Sequence, residues 1–288
     1  MTGQIGCLHF EGTADRRWSI PAVQIGGLPI AVINRAESAQ LMLDAALHRR
    51  ERALPPLIFS SANGQVLSMS ARHSWVRELF LAADLIHADG MPLVFMSRLF
   101  HKRPLPERVC TTDLFHDVAG VAPARRTSMF LLGATKNVID EAAQRIRRLY
   151  PELELVGHAS GYLRRDGDEE RIIEVINAAH PDILWLGLGV PAEQAFAVRN
   201  RSRLRVGLIK TSGGLFDYIS GKNARAPAWM RHAGLEWAFR TYLEPRRLAS
   251  RYLVTNPHAL FLLLTRTTVG AQSATSGDGP TIGSAFAP

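Results

Sequence analysis

The chain carries few of the devices that assign a protein at sight. It has two cysteines, Cys7 and Cys110, in 288 residues. Two separated thiols with no Cys-x-x-Cys spacing make neither a disulfide framework nor a structural zinc site, so a reducing compartment is expected. No apolar run reaches the ~18 residues of a membrane-spanning helix. The first ten residues have no basic start and no long apolar stretch, so a signal peptide is not expected. The ten histidines never fall at HxxxH or HExxH spacing, which leaves a His-based metal site without support. The nearest thing to a carboxylate clamp is Asp166-Gly167-Asp168, in a charged turn that reads as solvated. No P-loop, no Gly-x-Ser-x-Gly and no complete Gly-x-Gly-x-x-Gly occurs.

The composition is ordinary, with 47% hydrophobic and 21% charged residues. That excludes a disordered or collagen-like chain and suits one large domain or two small ones. The net charge is +8, which points to an acidic partner: nucleic acid, an anionic membrane surface or phosphorylated substrates. From Lys222 to Arg266 there are eight basic residues against Glu236 and Glu244, so most of the excess lies in this segment.

Short apolar runs predict strands at Ile30–Ile33, Leu57–Ser60, Leu85–Ala88, Ser128–Leu132, Leu153–His158, Ile183–Leu188 and Arg205–Ile209. Apolar spacings of three and four predict helices over Ala36–Arg50, Ser70–Ala82, Asn137–Tyr150, Glu169–Ala179 and Glu193–Asn200. The alternation predicts an α/β fold: a Rossmann-like, mostly parallel sheet flanked by helices, with a C-terminal basic helical appendage. The expected organisation is a flexible leader over 1–24, a catalytic domain over 25–222, a basic helical appendage over 223–268 and a disordered tail over 269–288.

Four segments follow predicted strands, where open α/β sheets bind ligands. Ser60-Ser61-Ala62-Asn63 offers hydroxyl and amide groups before a helix, or a plain helix N-cap. Asp89-Gly90 places a carboxylate at a strand end, where it would act as a base, or forms an Asp-Gly turn. Gly133, and Gly187 with Gly189 ahead of Glu193 and Gln194, admit a phosphate or sugar close to the backbone, or serve strand–helix packing. Gly213-Gly214, then Lys222 and Arg225, would hold a diphosphate, or form a solvated basic loop.

Together these segments resemble the WecG/TagA/CpsF family of bacterial glycosyltransferases (glycosyltransferase family 26). The run Gly214-Leu215-Phe216-Asp217-Tyr218-Ile219-Ser220-Gly221-Lys222, with Arg225-Ala226-Pro227, Trp229-Met230, Gly234-Leu235-Glu236-Trp237, Arg240, Glu244-Pro245-Arg246-Arg247 and Arg251-Tyr252, carries most of the likeness. The resemblance implies inverting, metal-independent transfer from a UDP-sugar donor to an undecaprenyl-diphosphate-linked glycan, with no cofactor. Asp89 resembles the catalytic base, and Ser61 and Asn63 fall at active-site positions. Gly90, Gly133, Gly187, Gly189, Glu193, Gln194, Gly213 and Gly214 are the expected substrate contacts. Arg240, Arg246, Arg247 and Arg251 resemble an appendage that docks on an anionic membrane and closes over the lipid diphosphate. Their offsets suggest one helix with Arg240, Arg247 and Arg251 on a shared face. The implied location is cytoplasmic, peripheral to the inner face of the cell membrane, with a homo-oligomer open.

Three positions depart from the family pattern: Asn63-Gly64-Gln65 for Asn-Pro-Glu, Thr111 for a glycine, and Pro191-Ala192-Glu193-Gln194 for Pro-Lys-Gln-Glu. They turn the resemblance from the N-acetylmannosamine donor toward the branch that adds a glucose in xanthan- or acetan-like exopolysaccharides. Two other classes stay in play. A Rossmann oxidoreductase requires a glycine fingerprint and an acidic ribose ligand, neither clear here. A non-catalytic nucleic-acid-binding protein fits the interleaved Trp229, Trp237, Phe239, Tyr242 and Tyr252, but that spacing also suits an interfacial amphipathic helix, and no nucleic-acid partner is expected.

Overall fold

A computed structural model describes residues 3–4, 6–11, 17–162, 167–267 and 270–271. The elements run β1 (Gly3–Gln4), β2 (Gly6–Glu11), β3 (Arg17–Ile25), β4 (Leu28–Ala31), α1 (Arg35–Glu51), β5 (Leu57–Ala62), α2 (Gly64–Arg72), α3 (Ser74–Leu81), β6 (Leu85–Ala88), α4 (Met91–Phe100), α5 (Thr111–Val121) and β7 (Met129–Gly133). They continue with α6 (Lys136–Leu149), β8 (Leu155–Ala159), α7 (Asp168–Ala179), β9 (Ile183–Gly187), α8 (Ala192–Arg199), β10 (Leu208–Thr211), α9 (Leu215–Ile219), α10 (Ala228–His232), α11 (Glu236–Leu243), α12 (Pro245–Thr265) and β11 (Gly270–Ala271).

Six strands form one parallel sheet in the order β6-β5-β10-β9-β7-β8. Parallel strands need both faces covered, so their residues are apolar at successive positions. Leu57, Phe59, Leu131, Trp185 and Leu208 face α1, α5, α6 and α9 on one side, in one buried cluster. Ile58, Leu132, Leu184, Leu186 and Ile209 face α7 and α8 on the other. The period of two is what sends neighbours to opposite layers. Helix α1 starts under a reciprocal cap: Glu37 N–H donates to Asn34 Oδ1 at 2.8 Å and Asn34 N–H to Glu37 Oε2 at 3.1 Å.

Within the expected leader, the described residues 3–4, 6–11 and 17–24 lie in strands. Strands β2, β3 and β4 make a separate antiparallel sheet, and β3 takes in residues 17–25. The turn between β3 and β4 is Gly26-Gly27, both at positive φ (60° and 89°), as a tight hairpin requires. The strand expected at Ile30–Ile33 is therefore a hairpin arm at 28–31, outside the parallel sheet. The helix expected over Ser70–Ala82 is two helices, because His73 is extended between them (φ −130°, ψ 109°). The expected tail over 269–288 lies outside the described residues except for β11, which pairs with β1.

The segment beyond residue 222 is built into the core. Leu262 and Leu263 of α12 are buried with Val66 and Leu67 of α2, Leu93 of α4, and Ile25, Leu28 and Ile30 of the small sheet. Gly27 N–H donates to Arg266 O at 3.1 Å, and Gly26 N–H to Thr267 Oγ1 at 3.3 Å. The segment expected as a basic helical appendage, 223–268, is thus packed through α12 against α2, α4 and the small sheet. The reason is the apolar inner face of α12, which has no other cover.

Leu262→Ala tests this packing. The residue is 1% exposed, so the substitution should lower unfolding free energy by about 2–5 kcal/mol. Urea titration of the full chain measures it, and a loss within ~0.5 kcal/mol, as at a surface site, would place α12 outside the core.

Candidate active site

A cleft of 390 Å³ opens over the carboxyl ends of β6, β5 and β10, within the ~300–1,000 Å³ typical of small-molecule sites. Each strand end delivers a polar group into it: Ser61 from β5, Asp89 after β6, and Gly213-Gly214 after β10. Asn63 lines the cleft and also caps α2, its Oδ1 accepting Val66 N–H at 3.2 Å. The cap and the site are the same residue. Helices α11 and α12 supply the remaining wall with Trp237, Arg240, Tyr252 and Asn256.

Asp89 is held through both of its carboxylate oxygens. Its Oδ1 accepts from Arg108 Nη2 and Nε at 3.1 and 3.3 Å. Its Oδ2 accepts from Thr111 Oγ1 at 3.2 Å and Thr111 N–H at 3.4 Å. These contacts are longer than the ~2.7–2.9 Å of a tight charge-assisted bond. The tight partner of Arg108 is Glu236, at 2.8 Å from Nη1. Burial works against the Arg108 charge, but the carboxylates of Asp89 and Glu236 raise its pKa, so it stays ionised. The departure at Thr111 thus has a use: it adds to the backbone donor a hydroxyl donor to Asp89 Oδ2 that a glycine would lack.

Glu193 lines the cleft but is buried, and protein amides take up its carboxylate. Its Oε2 accepts Gly213 N–H at 2.9 Å and Gly189 N–H at 3.2 Å. One carboxylate therefore ties together the loops after β9 and β10, and both glycines sit at positive φ (81° and 55°). The two amides are engaged by protein, so they are not free donors for a diphosphate. Burial pushes the Glu193 carboxyl up to about 7, against the pull of Gly213 N–H and Lys210. Gln194 does lie below the floor, donating to Ser60 Oγ and Thr211 Oγ1 at 3.2 and 3.3 Å.

Gly133 and Gly187 are packing residues. A Cβ on Gly133 would lie 2.4 Å from Gly187 O, and one on Gly187 would lie 2.8 Å from Phe216 Cε2. Neither lines the cleft, whereas Gly90, Gly213 and Gly214 do. The four arginines also separate. Arg240 ends in the cleft, 5.6 Å from the Tyr218 ring centroid. Arg246 is exposed on α12, Arg251 stacks 4.7 Å over Tyr252, and the Arg247 side chain lies outside the described residues. The shared arginine face fails because Glu244-Pro245 ends α11 and begins α12.

The sequence reading missed several site residues. Arg108 and Glu236 are 128 positions apart, and no pattern links them. Tyr218 Oη is buried at the cleft without a hydrogen-bond partner, a donor left for a ligand oxygen. Lys210 is wholly buried beneath the floor. Among the described residues, no three His, Cys, Asp or Glu side chains gather as metal ligands.

The chain is similar to known proteins over most of its length. The profile of the glycosyl transferase WecG/TagA/CpsF family matches residues 23–273. The chain is 31% identical over 206 residues to an N-acetylglucosaminyldiphosphoundecaprenol N-acetyl-beta-D-mannosaminyltransferase of Bacillus subtilis (strain 168), covering 72% of this chain and 78% of that one. An enzyme of the same name from Staphylococcus aureus (strain NCTC 8325) is 27% identical over 192 residues, 67% of this chain and 74% of its own.

Glu193→Gln probes the buried clamp, since an amide oxygen can accept both glycine N–H groups without titrating. The Glu193 pKa is raised in the fold, so the native state keeps a proton that the unfolded chain releases. Its stabilising effect is complete below the ordinary carboxyl range and is lost as pH rises to about 7. Wild type should therefore lose melting temperature relative to Glu193→Gln across that window. A wild-type-minus-variant difference that stays constant with pH would show that Glu193 does not titrate there.

Proposed function

Because the chain belongs to the WecG/TagA/CpsF family of glycosyl transferases, we propose that its cleft moves a hexosyl group from a UDP-sugar to a polyprenyl-diphosphate-linked saccharide. The observation that carries this reading is Asp89, a carboxylate at the end of β6 that faces the cleft and is oriented from two sides by Arg108 and Thr111. In the reaction, Asp89 takes the proton of an acceptor hydroxyl. The freed oxygen attacks the anomeric carbon from the face opposite the nucleotide. The bond from that carbon to the diphosphate oxygen breaks, and its electron pair leaves with UDP, so the configuration inverts. Asp89 ends the step protonated. Arg240 and the Tyr218 hydroxyl stand where the leaving diphosphate gathers charge, the kind of fixed donor that stabilises a transition state.

The proposed reaction needs no cofactor or metal. The support is the cationic Arg240 in the cleft, which can offset the charge of a diphosphate. The departures at 63–65, 111 and 191–194 support glucose as the donor, and N-acetylmannosamine, the sugar in the relatives' name, is the alternative. The acceptor serves an exopolysaccharide or another surface glycan.

A lipid-linked acceptor calls for a membrane surface. Among the described residues no helix is long and apolar enough to cross a bilayer. On α12, however, Leu253, Leu260, Phe261 and Leu264 are exposed (78%, 54%, 59% and 54%), spaced to share one face. We place this stripe, with exposed Trp237 and Tyr242 beside it, against the cytoplasmic leaflet. The wall that closes the cleft is then also the wall that meets lipid.

Asp89→Asn should reduce transfer by about 10²–10⁴-fold while the protein still binds UDP. The assay offers UDP-glucose, UDP-N-acetylmannosamine or UDP-N-acetylmannosaminuronate with a short-chain lipid-diphosphate acceptor, and EDTA present. Wild-type turnover in Asp89→Asn would remove it as base, and loss of activity to EDTA with recovery in Mg²⁺ would remove the metal-free mechanism. A second expectation concerns docking. Each exposed side chain contributes about 1.5–3 kcal/mol when fully buried, so Leu253→Asp with Phe261→Asp should cut sedimentation with anionic vesicles at least tenfold. The melting temperature should hold, and undiminished pelleting would move the membrane contact elsewhere.

A further inference from the structure

Beneath the floor of the cleft, a chain of hydrogen bonds runs from Asp89 to a buried lysine. Lys210 lies in β10 and is 0% exposed. Its Nζ donates to Ser61 Oγ at 2.8 Å and to Thr211 O at 3.0 Å. Ser61 Oγ is 3.1 Å from Thr111 Oγ1, which donates to Asp89 Oδ2 at 3.2 Å. A hydroxyl pair alone leaves open which oxygen donates. Here both ends are fixed, because an ammonium can only donate and a carboxylate can only accept. Ser61 must accept from Lys210, so its own proton points to Thr111. The Thr111 proton in turn points to Asp89.

We propose that Lys210 is a positioning residue for the glycosyl transfer, setting through Ser61 and Thr111 the direction of the hydrogen bonds that hold Asp89 as an ionised acceptor. The proposal rests on the reading of Asp89 as base. Lys210 touches no substrate and acts only through this relay. Loss of its proton turns Nζ into an acceptor, and Ser61 can then donate back to it. The Thr111 hydroxyl is no longer steered to Asp89 Oδ2, and the carboxylate loses one of its anchors.

This device responds to pH. Burial lowers the Lys210 pKa to about 8, while Asp89 after β6, Glu193 in α8 and Cys110 before α5 act to raise it. His87 in β6 also faces it, held well below its ordinary value by burial and by Lys210, and so neutral. Burial pushes the Cys110 thiol up to about 12. Of these groups, Lys210 alone loses charge just above pH 8, so wild-type kcat should fall as pH rises through that value.

The test is the kcat–pH profile of the full chain, with UDP-glucose (or UDP-N-acetylmannosamine, where that is the donor accepted) and a short-chain polyprenyl-diphosphate-linked saccharide. Lys210→Met should lower kcat about 10²-fold, as misplacement of a reacting group does, leave the donor KM unchanged and abolish the alkaline limb. Lys210→Arg keeps a donor-only cation, so it should recover part of kcat and show no limb near 8. Ser61→Ala cuts the relay without removing the buried charge, and should lose kcat as Lys210→Met does, the double variant being no worse than either. An alkaline limb that survives Lys210→Met, or a wild-type profile in Ser61→Ala, overturns the proposal. Should Lys210→Met fail to fold, Ser61→Ala decides alone. The Cε carbon-13 resonance of Lys210, assigned by its absence in Lys210→Arg, should titrate near 8 without substrate, and titration in the ordinary lysine range also overturns it. Failure here is distinct from failure of the base reading: the latter shows as an active Asp89→Asn, the former as an inactive Asp89→Asn beside an unaltered Lys210→Met.

Discussion

The site depends on a single guanidinium. Arg108 joins Asp89, at the end of a core strand, to Glu236, the first residue of α11. It is only 15% exposed, and a buried cation of this kind persists only where carboxylates surround it. The bond therefore acts in two directions. It orients the carboxylate that faces the cleft, and it fixes the start of the helix that walls the cleft. Nearby, Asp113 serves the same segment. Burial raises its pKa, but the bond to Arg225 at 2.6 Å, with Arg35 and Arg231 near it, holds it below the ordinary carboxylate range. Two acid–arginine clusters thus fasten the segment after residue 222 to the sheet, where hydrophobic packing alone would set its distance but not its register.

Beneath that layer the floor is polar and sealed. Glu193, Gln194, Lys210, Ser60 and Thr211 are all buried and joined by hydrogen bonds. A parallel-sheet core ordinarily excludes such groups, because an unmade bond in a low-dielectric interior is costly. Here most of the groups find partners among themselves, the Gln194 Oε1 excepted, and Glu193 ties two glycine loops into place. The polarity of the site is therefore set in part from below, by Ser60, Gln194 and Lys210, which do not line the cleft.

Much of this was legible in the chain, and the rest was hidden for physical reasons. The strand at Leu85–Ala88 and the carboxylate after it stand out because an apolar run stops at Asp-Gly. The strand expected to end at Ile209 runs to Thr211, since a lysine interrupts the apolar run that marks a strand. Helix α4 was marked only by Pro92 in its first turn. The small sheet carried a readable sign, the Gly26-Gly27 pair between apolar arms, but a leader with little periodicity concealed its partner strands. Gly133 and Gly187 look like a ligand turn and are spacing for Phe216; distinguishing the two needs three elements in place. The Arg108–Glu236 pair and the Lys210 relay join residues more than a hundred positions apart, and a single sequence holds no trace of such contacts.

The stitch between the Gly26-Gly27 hairpin and the end of α12 bears on how the site can be redesigned. Residues 266–267 accept two backbone donors from the hairpin, and Leu67 lies 2.7 Å from where a Cβ at Gly26 would stand. The wall of the cleft is thus moulded on a hairpin near the opposite end of the chain. Exchanging the C-terminal segment between relatives to alter acceptor choice means exchanging this hairpin and α2 with it. The transplantable unit is a three-part block assembled from both ends of the sequence, with the parallel sheet left untouched between them.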